Sequence, residues 1–494
     1  MINYNFIKFS FKYHKFCGWV GGIALIIFAI SGLIHPILTW TGPKSDAFFL
    51  PQGKIEAEDV VSVKDIIVKN NIRKIIIAKL MPSKDGIVLQ ISQDKDGERR
   101  YFDIKTHQEL IGHDKKHAIW LARYYTGLKN AQVKSVKFQD KFDNSYPWVN
   151  RLLPVYKVTF DTKDERTAFI YTEINALSGL TNSYKTSMQS IFRAMHSWNW
   201  LDEYEIIRVA LMLFLLLSLF IMIVTGVGMI FFVKNRNMPL RRKFHRYLSY
   251  IIYVPLAMFT FSGVYHLLQY SYSDNYRGMK LQEQFSIEPE KFDKKVKWID
   301  QYSEIKLNSI SLVKDPEGED ILYRLSFPKG LPGGNISLGQ KFDGMATEGG
   351  GVYYSAISGE RSHISDRYMA INYAKKLVYN NDALVKGAKV ITRFGPDYDF
   401  RNKRLPVWQV DLESDIGDRL YIDPSASILV DRLADSNRYE GYSFSFLHKW
   451  NFLTPVIGRY NRDIIIAIII LSAFILAISG YIIKISIFFK RKKK

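Results

Sequence analysis

Three pairs of histidines stand at matching positions in the two halves of this 494-residue chain. In each half, one histidine opens an apolar run, and a second follows 21 residues later. The third lies in the motif His-x-Trp-Asn-aromatic-Leu, just ahead of another apolar run. Imidazole nitrogen is a common ligand of transition metals. The candidate ligands are therefore His14/His245, His35/His266 and His196/His448.

The elements that must position these histidines are four apolar runs, each long enough for the roughly 20 residues that cross a bilayer. The runs are Cys17–Trp40, Ile206–Val233, Tyr247–Tyr270 and Ile464–Phe489. The segments 1–16, 234–246 and 484–494 carry fifteen Lys and Arg and no Asp or Glu. The positive-inside rule assigns these segments, and hence both termini, to the cytoplasm. The net charge of +20 is thus largely a topology signal, which argues against a nucleic-acid partner.

The chain is also a tandem repeat. The stretch from Lys12, KYHKFCGWVGGIALIIFAISGLIHPI, aligns without gaps with that from Lys243, KFHRYLSYIIYVPLAMFTFSGVYHLL. LPVYKVTF matches LPVWQVDL, and Thr225-Gly226 matches Ser479-Gly480 near the ends of the second and fourth runs. Each copy has two spans, so both copies share one orientation, and a pseudo-twofold axis along the membrane normal is expected.

These observations predict a four-helix transmembrane bundle built from a two-span repeat, with two large α+β domains on the outer side. The predicted boundaries are an N-terminal segment and first span (1–40), a first outer domain (41–205), a second span (206–233), a cytoplasmic loop (234–246), a third span (247–270), a second outer domain (271–463), and a fourth span with a basic tail (464–494). The outer segments alternate strand-like runs such as GIVLQIS with helical stretches such as HAIWLARYYTGL. The glycine-rich stretch from Leu331 to Gly351 is predicted to be a surface loop.

The spacing of the histidines predicts two levels of metal ligation. His14 and His35 are about 31 Å apart along a helix, and 21 residues return them to nearly one helix face. His14 and His245 then share a cytoplasmic level, while the other four histidines share an outer level. Two imidazoles facing each other across a bundle can hold one haem iron between them. A zinc or copper site is the alternative metal centre.

Other residues could support such a cofactor. Gly18 and Ser249 follow the first histidine of each copy by one turn and would leave room for it. Ser31 and Ser262 precede His35 and His266 by one turn and are candidate hydrogen-bond partners. Haem propionates favour cations, and the candidate contacts are Arg241, Arg242 and Arg246. The pair His113 and His117 has i, i+4 spacing and fits either a metal site or a solvated helix start. Cys17 is the only cysteine, which excludes an intramolecular disulfide.

The stretch YHKFCGWVGGIALIIFAISG, the four spans and the histidine motif before the second span resemble the PepSY-associated transmembrane family. Within it, the chain is most similar to inner-membrane ferric-siderophore reductases of the ferrioxamine type. The chain departs from the family's usual His-Arg-x-x-Gly start, with Lys15 after His14 and with Ser249 in place of the glycine in the second copy.

The resemblance implies a bacterial inner-membrane protein with two periplasmic PepSY-like domains and two or three b-type haems held by the paired histidines. It implies electron transfer from a cytoplasmic flavoprotein, a reduced nicotinamide system or quinol to a ferric siderophore in the periplasm. The alternatives are a membrane-anchored module that binds a peptide or protease without redox activity, and a transporter that uses the histidines for protons.

Overall fold

The computed structural model describes residues 4–47, 51, 55–233, 238–274, 276–293, 296–305, 307–327, 350–378 and 382–492. Residues 331–349 of the predicted glycine-rich loop therefore lie outside the described ranges. The chain divides into two compact units. The helical unit comprises Met1–Gly42, Tyr184–Asn275 and Ser436–Lys494, and the sheet unit comprises Pro43–Ser183 and Tyr276–Asp435.

The α-helices of the described chain are α1 (Tyr4–Thr41), α2 (Val61–Lys69), α3 (His113–Thr126), α4 (Ser183–Phe192), α5 (Glu205–Phe232), α6 (Leu240–Tyr272), α7 (Asp366–Leu377), α8 (Asp435–Ser443) and α9 (Thr454–Lys492). Four of them, α1, α5, α6 and α9, are long and apolar enough to cross a membrane. Short π-helices at Arg193–Ser197 and Phe444–His448 continue α4 and α8.

In the helical unit, α1 packs against α5 and α9, and α6 packs against the same two helices. Helices α1 and α6 therefore occupy diagonal corners of a four-helix arrangement. Gly21 brings α1 close to α5, because a Cβ atom there would lie 3.0 Å from the backbone of Leu219. The middle of the bundle is filled by buried aliphatic side chains, among them Leu25, Leu219, Ile223, Ile252, Leu256 and Leu476.

The strands are β1 (Lys74–Ile75), β2 (Ile77–Ser83), β3 (Gly86–Ser92), β4 (Arg100–Asp103), β5 (Val133–Gln139), β6 (Val155–Phe160), β7 (Thr167–Tyr171), β8 (Ala176–Thr181), β9 (Leu281–Gln282), β10 (Phe285–Ser286), β11 (Ser309–Lys314), β12 (Ile321–Ser326), β13 (Val352–Ser355), β14 (Val385–Ile391), β15 (Val407–Leu412), β16 (Arg419–Asp423) and β17 (Ile428–Leu433). With α2, α3 and α7 they form the predicted α+β architecture.

The two outer segments of the sequence join in one sheet. Strands β2 and β11 pair antiparallel, with Leu80 opposite Ile310, and this pairing completes a six-stranded sheet of order β13-β12-β11-β2-β3-β4. Each segment also forms its own antiparallel sheet, β5-β6-β7-β8 in the first and β14-β15-β16-β17-β9 in the second. Helices α3 and α7 pack on these two sheets.

The repeat extends to irregularities of the backbone. The β5–β6 register shifts between Val133 and Ser135, and the β14–β15 register shifts between Val385 and Gly387, 252 positions later. A second pair of shifts falls in β7–β8 and β16–β17, again 252 positions apart. Bulges re-aim strands and are specific features of a fold, so their recurrence supports a duplicated unit.

Buried ion pairs join the two segments of the sheet unit. Arg404 lies 2.5 Å from the Glu173 carboxylate, and Arg151 lies 3.0 Å from that of Asp431. All four side chains are at most 5% exposed. The neighbouring guanidinium and ammonium groups, Arg404 first, hold the pKa of Glu173 well below its usual range in spite of its burial. Removing one partner of such a pair would leave an uncompensated buried charge, which typically costs about 3–5 kcal/mol.

Candidate metal centre

The first histidine of each copy lies at the end of a span and is held by the other span of its own copy. His14 of α1 places its Nδ1 2.9 Å from the carbonyl oxygen of Met222 in α5. His245 of α6 places its Nδ1 2.8 Å from the hydroxyl of Ser479 in α9. The two histidines that the repeat pairs thus lie on the diagonal helices α1 and α6, and each is hydrogen-bonded to the second long helix of its own copy.

The hydrogen-bond network assigns the proton of each ring to one nitrogen. The Met222 carbonyl only accepts, so Nδ1 of His14 is the donor. The Ser479 hydroxyl has one proton and donates it to the carbonyl of Leu476 at 2.7 Å. Its oxygen therefore accepts from Nδ1 of His245. In both rings Nε2 is left with its lone pair, which is the form that binds a metal.

The Thr-Gly and Ser-Gly dipeptides of α5 and α9 lie beside the rings of His14 and His245. Thr225 Oγ1 lies 3.4 Å from Nδ1 of His14. A Cβ atom on Gly226 would lie 3.2 Å from Cε1 of His14, and one on Gly480 would lie 3.3 Å from Cε1 of His245. The dipeptides thus supply a hydroxyl beside each ring and a glycine that lets it approach.

The third histidine of each copy follows the same rule. Nδ1 of His196 lies 2.9 Å from the hydroxyl of Ser31, and Nδ1 of His448 lies 3.2 Å from that of Ser262. Both serines are fully buried, and each donates its proton to a carbonyl of its own helix, at Ile27 and Met258. Nδ1 is again the donor and Nε2 keeps its lone pair. The partners of Ser31 and Ser262 are thus His196 and His448, not the His35 and His266 that the sequence suggested.

His196 and His448 lie together. Their ring centroids are 6.3 Å apart, with the ring planes at 77°. An imidazole nitrogen binds a transition metal at about 2 Å, and the ring centre lies about 1 Å beyond, so two rings on opposite sides of one metal have centroids about 6 Å apart. Each histidine lies in the last residues of a π-helix turn, a rare conformation that occurs frequently at functional sites.

The tryptophan of the repeated motif supports these turns. Nε1 of Trp198 donates to the carbonyl of Met195 at 3.0 Å, and Nε1 of Trp450 donates to that of Leu447 at 3.1 Å. Both tryptophans have left-handed backbone angles, φ 53° and φ 50°. The motif His-x-Trp therefore describes a histidine within a π turn and a tryptophan whose indole N–H bonds a carbonyl of the same turn.

His35 and His266 belong with His196 and His448 to the outer level predicted above, here called the four-histidine level. The surroundings of His35 and His266 differ between the two copies. His35 is exposed, while Nδ1 of His266 lies 2.6 Å from the Glu440 carboxylate. The ring of Phe444 stacks on His266 at 4.5 Å and on His448 at 4.6 Å, and so separates these two imidazoles. The geometry therefore favours His196/His448 over His35/His266 as a ligand pair.

The three arginines predicted to contact haem propionates differ in their surroundings. Arg246 donates to the Ile230 carbonyl at 2.6 Å, and Arg241 and Arg242 are exposed. The space beside Gly18 holds the ammonium group of Lys484, because a Cβ atom on Gly18 would lie 2.6 Å from Lys484 Nζ. Ser249 donates to the His245 carbonyl at 2.7 Å.

Sequence reasoning missed three residues near the four-histidine level. Glu440 contacts His266, as described above. Arg208 and Arg462, each about 7% exposed, occupy matching places early in α5 and α9. Arg208 donates to the Ser197 carbonyl at 3.3 Å, and Arg462 donates to Thr454 at 3.0 Å. The repeat could have identified the two arginines, because each precedes the Thr-Gly or Ser-Gly dipeptide of its copy by 17 residues.

The residues at both levels fit a haem. A haem iron needs only two axial protein ligands, and each level offers two imidazoles whose Nδ1 proton is already engaged. Within the described ranges, no three His, Cys, Asp or Glu side chains converge as ligands for a bare metal ion.

In the sheet unit, His117 is 1% exposed and its Nε2 lies 2.7 Å from Asn175 Oδ1, so α3 does not start with two solvated histidines.

Comparison of the chain with protein-family models, with curated proteins and with solved structures gives no match. Four of the described helices are long and apolar enough to cross a membrane, and the other unit is an α+β unit, a combination typical of a membrane protein. A more specific function rests on the site itself.

Proposed function

We propose that this chain is a di-haem transmembrane electron-transfer protein of the bacterial inner membrane, which reduces ferric siderophore in the periplasm. His14 and His245 would hold one b-type haem, and His196 and His448 would hold the other. The observation that carries the proposal is the matched set of hydrogen bonds at Nδ1 of these four imidazoles. Orienting partners of this kind accompany nearly all metal-bound histidines.

Haem, when bound, carries single electrons as its iron alternates between Fe(III) and Fe(II). The protein's own contribution is to fix the rings and to exclude water. Buried Ser31 and Ser262 lock two imidazoles, and the aliphatic core around Leu219 and Leu256 keeps the interval between the two levels apolar. The levels lie near opposite ends of α1 and α6, as an electron path across a bilayer requires.

The direction of transfer and the acceptor rest on the resemblance to ferric-siderophore reductases and on the positive-inside rule. In this scheme the electron donor is a cytoplasmic flavoprotein, a reduced nicotinamide system or quinol. Each electron that leaves the His196/His448 level reduces one chelated Fe(III) to Fe(II). Siderophores hold Fe(II) weakly, so the reduction releases iron for uptake.

The test is electron flow across proteoliposomes that contain the purified protein. A low-potential reductant is enclosed, ferrioxamine is added outside with an Fe(II)-specific dye, and formation of the coloured complex is followed. Wild-type protein is expected to reduce external Fe(III), and His14→Ala is expected to stop the flow. His363→Ala, which alters an exposed histidine of the sheet unit, is the matched control and should behave as wild type.

A membrane-anchored PepSY-like module that binds a peptide or protease is the rival outcome of the same experiment. Such a module needs no cofactor, so its purified form would be colourless and its vesicles would not pass electrons. A proton-coupled transporter would also lack a chromophore. Vesicles of wild-type protein that leave the external chelate oxidised, with a reducible cofactor present, would rule out the siderophore-reductase assignment.

A further inference from the structure

One ammonium group at the His14/His245 level has no hydrogen-bond acceptor among the described residues. Nζ of Lys484 is buried and makes no hydrogen bond with any described residue. It lies 4.8 Å from the ring centroid of Trp19 and 5.7 Å from that of Tyr481. The Tyr481 hydroxyl donates to the Trp19 carbonyl at 2.5 Å. A buried ammonium that faces aromatic rings and has no hydrogen-bond acceptor among the described residues is costly, which indicates a missing anionic partner.

The position of Lys484 points to the cofactor site. Its Nζ lies beside Gly18, one helical turn after His14, since a Cβ atom on Gly18 would lie 2.6 Å from it. The lysine also breaks the repeat: counted from the Ser-Gly and Thr-Gly dipeptides, the matching residue of α5 is Ile230. The second copy therefore places a cation at a position where the first copy has an isoleucine.

We propose that Lys484 binds a carboxylate of the haem held by His14 and His245, a role that the sequence had assigned to Arg241, Arg242 and Arg246. Arg246 is engaged by the Ile230 carbonyl, and the other two arginines are exposed. The inference rests on the proposed haem function. An anionic lipid phosphate offers similar oxygen chemistry, so the experiment must distinguish a cofactor carboxylate from a lipid headgroup.

The experiment compares haem with haem dimethyl ester, whose carboxylates are blocked and uncharged. Both are loaded into full-length protein carrying His448→Ala, so that only the His14/His245 level retains its complete ligand pair. Dissociation is followed by transfer to apomyoglobin in nanodiscs of neutral lipid. With Lys484 present, the free-acid haem should be held about tenfold or more tightly than the ester, as expected for a charge-assisted hydrogen bond.

Lys484→Met should remove most of this preference, and Lys484→Arg should retain part of it. Lys12→Met, which removes an exposed cation from the same end of α1, should leave the preference unchanged. A Lys484→Met protein that still discriminates acid from ester by the wild-type factor would overturn the inference. So would an effect of Lys484→Met that appears only in nanodiscs with phosphatidylglycerol, because the partner would then be a lipid phosphate.

These failures are separable from failure of the proposed function. If the protein that retains His14 and His245 takes up no haem at all, the haem assignment falls and the role of Lys484 falls with it. If it takes up haem but does not distinguish acid from ester, only the role of Lys484 is lost.

Discussion

The Nδ1 atom of His245 lies 2.8 Å from the Oγ atom of Ser479. Because the serine proton is directed to a carbonyl of its own helix, this contact makes the imidazole a donor at Nδ1 and leaves Nε2 available. The same arrangement recurs between His196 and Ser31. The chain thus uses serine hydroxyls to select one histidine tautomer at both levels.

Replacing Ser479 by alanine is expected to weaken haem binding at the His14/His245 level. The imidazole would lose its orienting acceptor, and such losses typically reduce metal affinity or activity about 10–100-fold. The measurement is the rate of haem transfer to apomyoglobin. Ser486→Ala is the matched control, since that hydroxyl donates to the Ile483 carbonyl of its own helix. Equal transfer rates for the two variants would show that Ser479 does not orient a ligand.

Replacing the glycines beside the imidazoles by alanine is expected to crowd the rings at the His14/His245 level. Gly226→Ala and Gly480→Ala each place a Cβ atom 3.2–3.3 Å from a histidine ring carbon. The ring or the helix must shift, and overpacking of this kind costs about 1–3 kcal/mol. Haem content is expected to fall and the Soret band to change.

Gly263→Ala is the control for this pair, because a Cβ atom there meets nothing within 4 Å. In a helix that change should be neutral or slightly stabilising. A loss of haem in Gly263→Ala as large as that in Gly480→Ala would indicate a general effect of alanine in these helices.

The two candidate ligand pairs of the four-histidine level can be separated by single substitutions. His448→Ala should lower the haem content from two per chain to one, since it removes half of the pair whose rings are 6.3 Å apart. His35→Ala should retain both haems, because His35 is exposed. Pyridine haemochrome assay per mole of protein gives the count. The opposite pattern would assign the haem to His35 and its partner.

The fold was predictable from the sequence where local pattern determines it. The apolar runs located all four long helices, but Cys17–Trp40 begins 13 residues after α1, because a hydropathy criterion stops where a helix continues into polar residues. The pairing of β2 with β11 was not predicted, since strand alternation carries no information about which distant strand becomes the neighbour.

The candidate site was also predictable only in part from the sequence. Repetition alone identified the six histidines, whereas the partner of Ser31 was assigned to His35, one turn along the same helix. Helical side chains point toward the N-terminus, so the Ser31 hydroxyl reaches the π turn that carries His196 instead. Lys484 was counted only as part of a basic tail, because nothing in a sequence distinguishes a buried lysine from a solvated one.

His117 makes the sheet unit sensitive to acid. Burial lowers its pKa from 6.5 to about 4. Between these values the unfolded chain binds more protons than the folded one, so stability falls as the pH drops from 6.5 towards 4. The loss approaches about 3 kcal/mol, at 1.36 kcal/mol per pKa unit.

His117→Gln should flatten this dependence in denaturant titrations between pH 4 and 7. Tryptophan emission is a suitable signal, because the Trp120 ring lies 5.2 Å from that of His117. His363→Gln serves as the exposed control and should keep the wild-type slope. An unchanged slope in His117→Gln would mean that other groups set the acid response.

The most direct test of the account is the haem content of the purified protein from haem-replete cells, measured for wild type and for His14→Ala. We predict two b-type haems per wild-type chain, with sharp α and β bands after dithionite reduction, and one haem per chain in His14→Ala. A wild-type preparation without Soret absorbance, or a His14→Ala variant that keeps both haems, would contradict it.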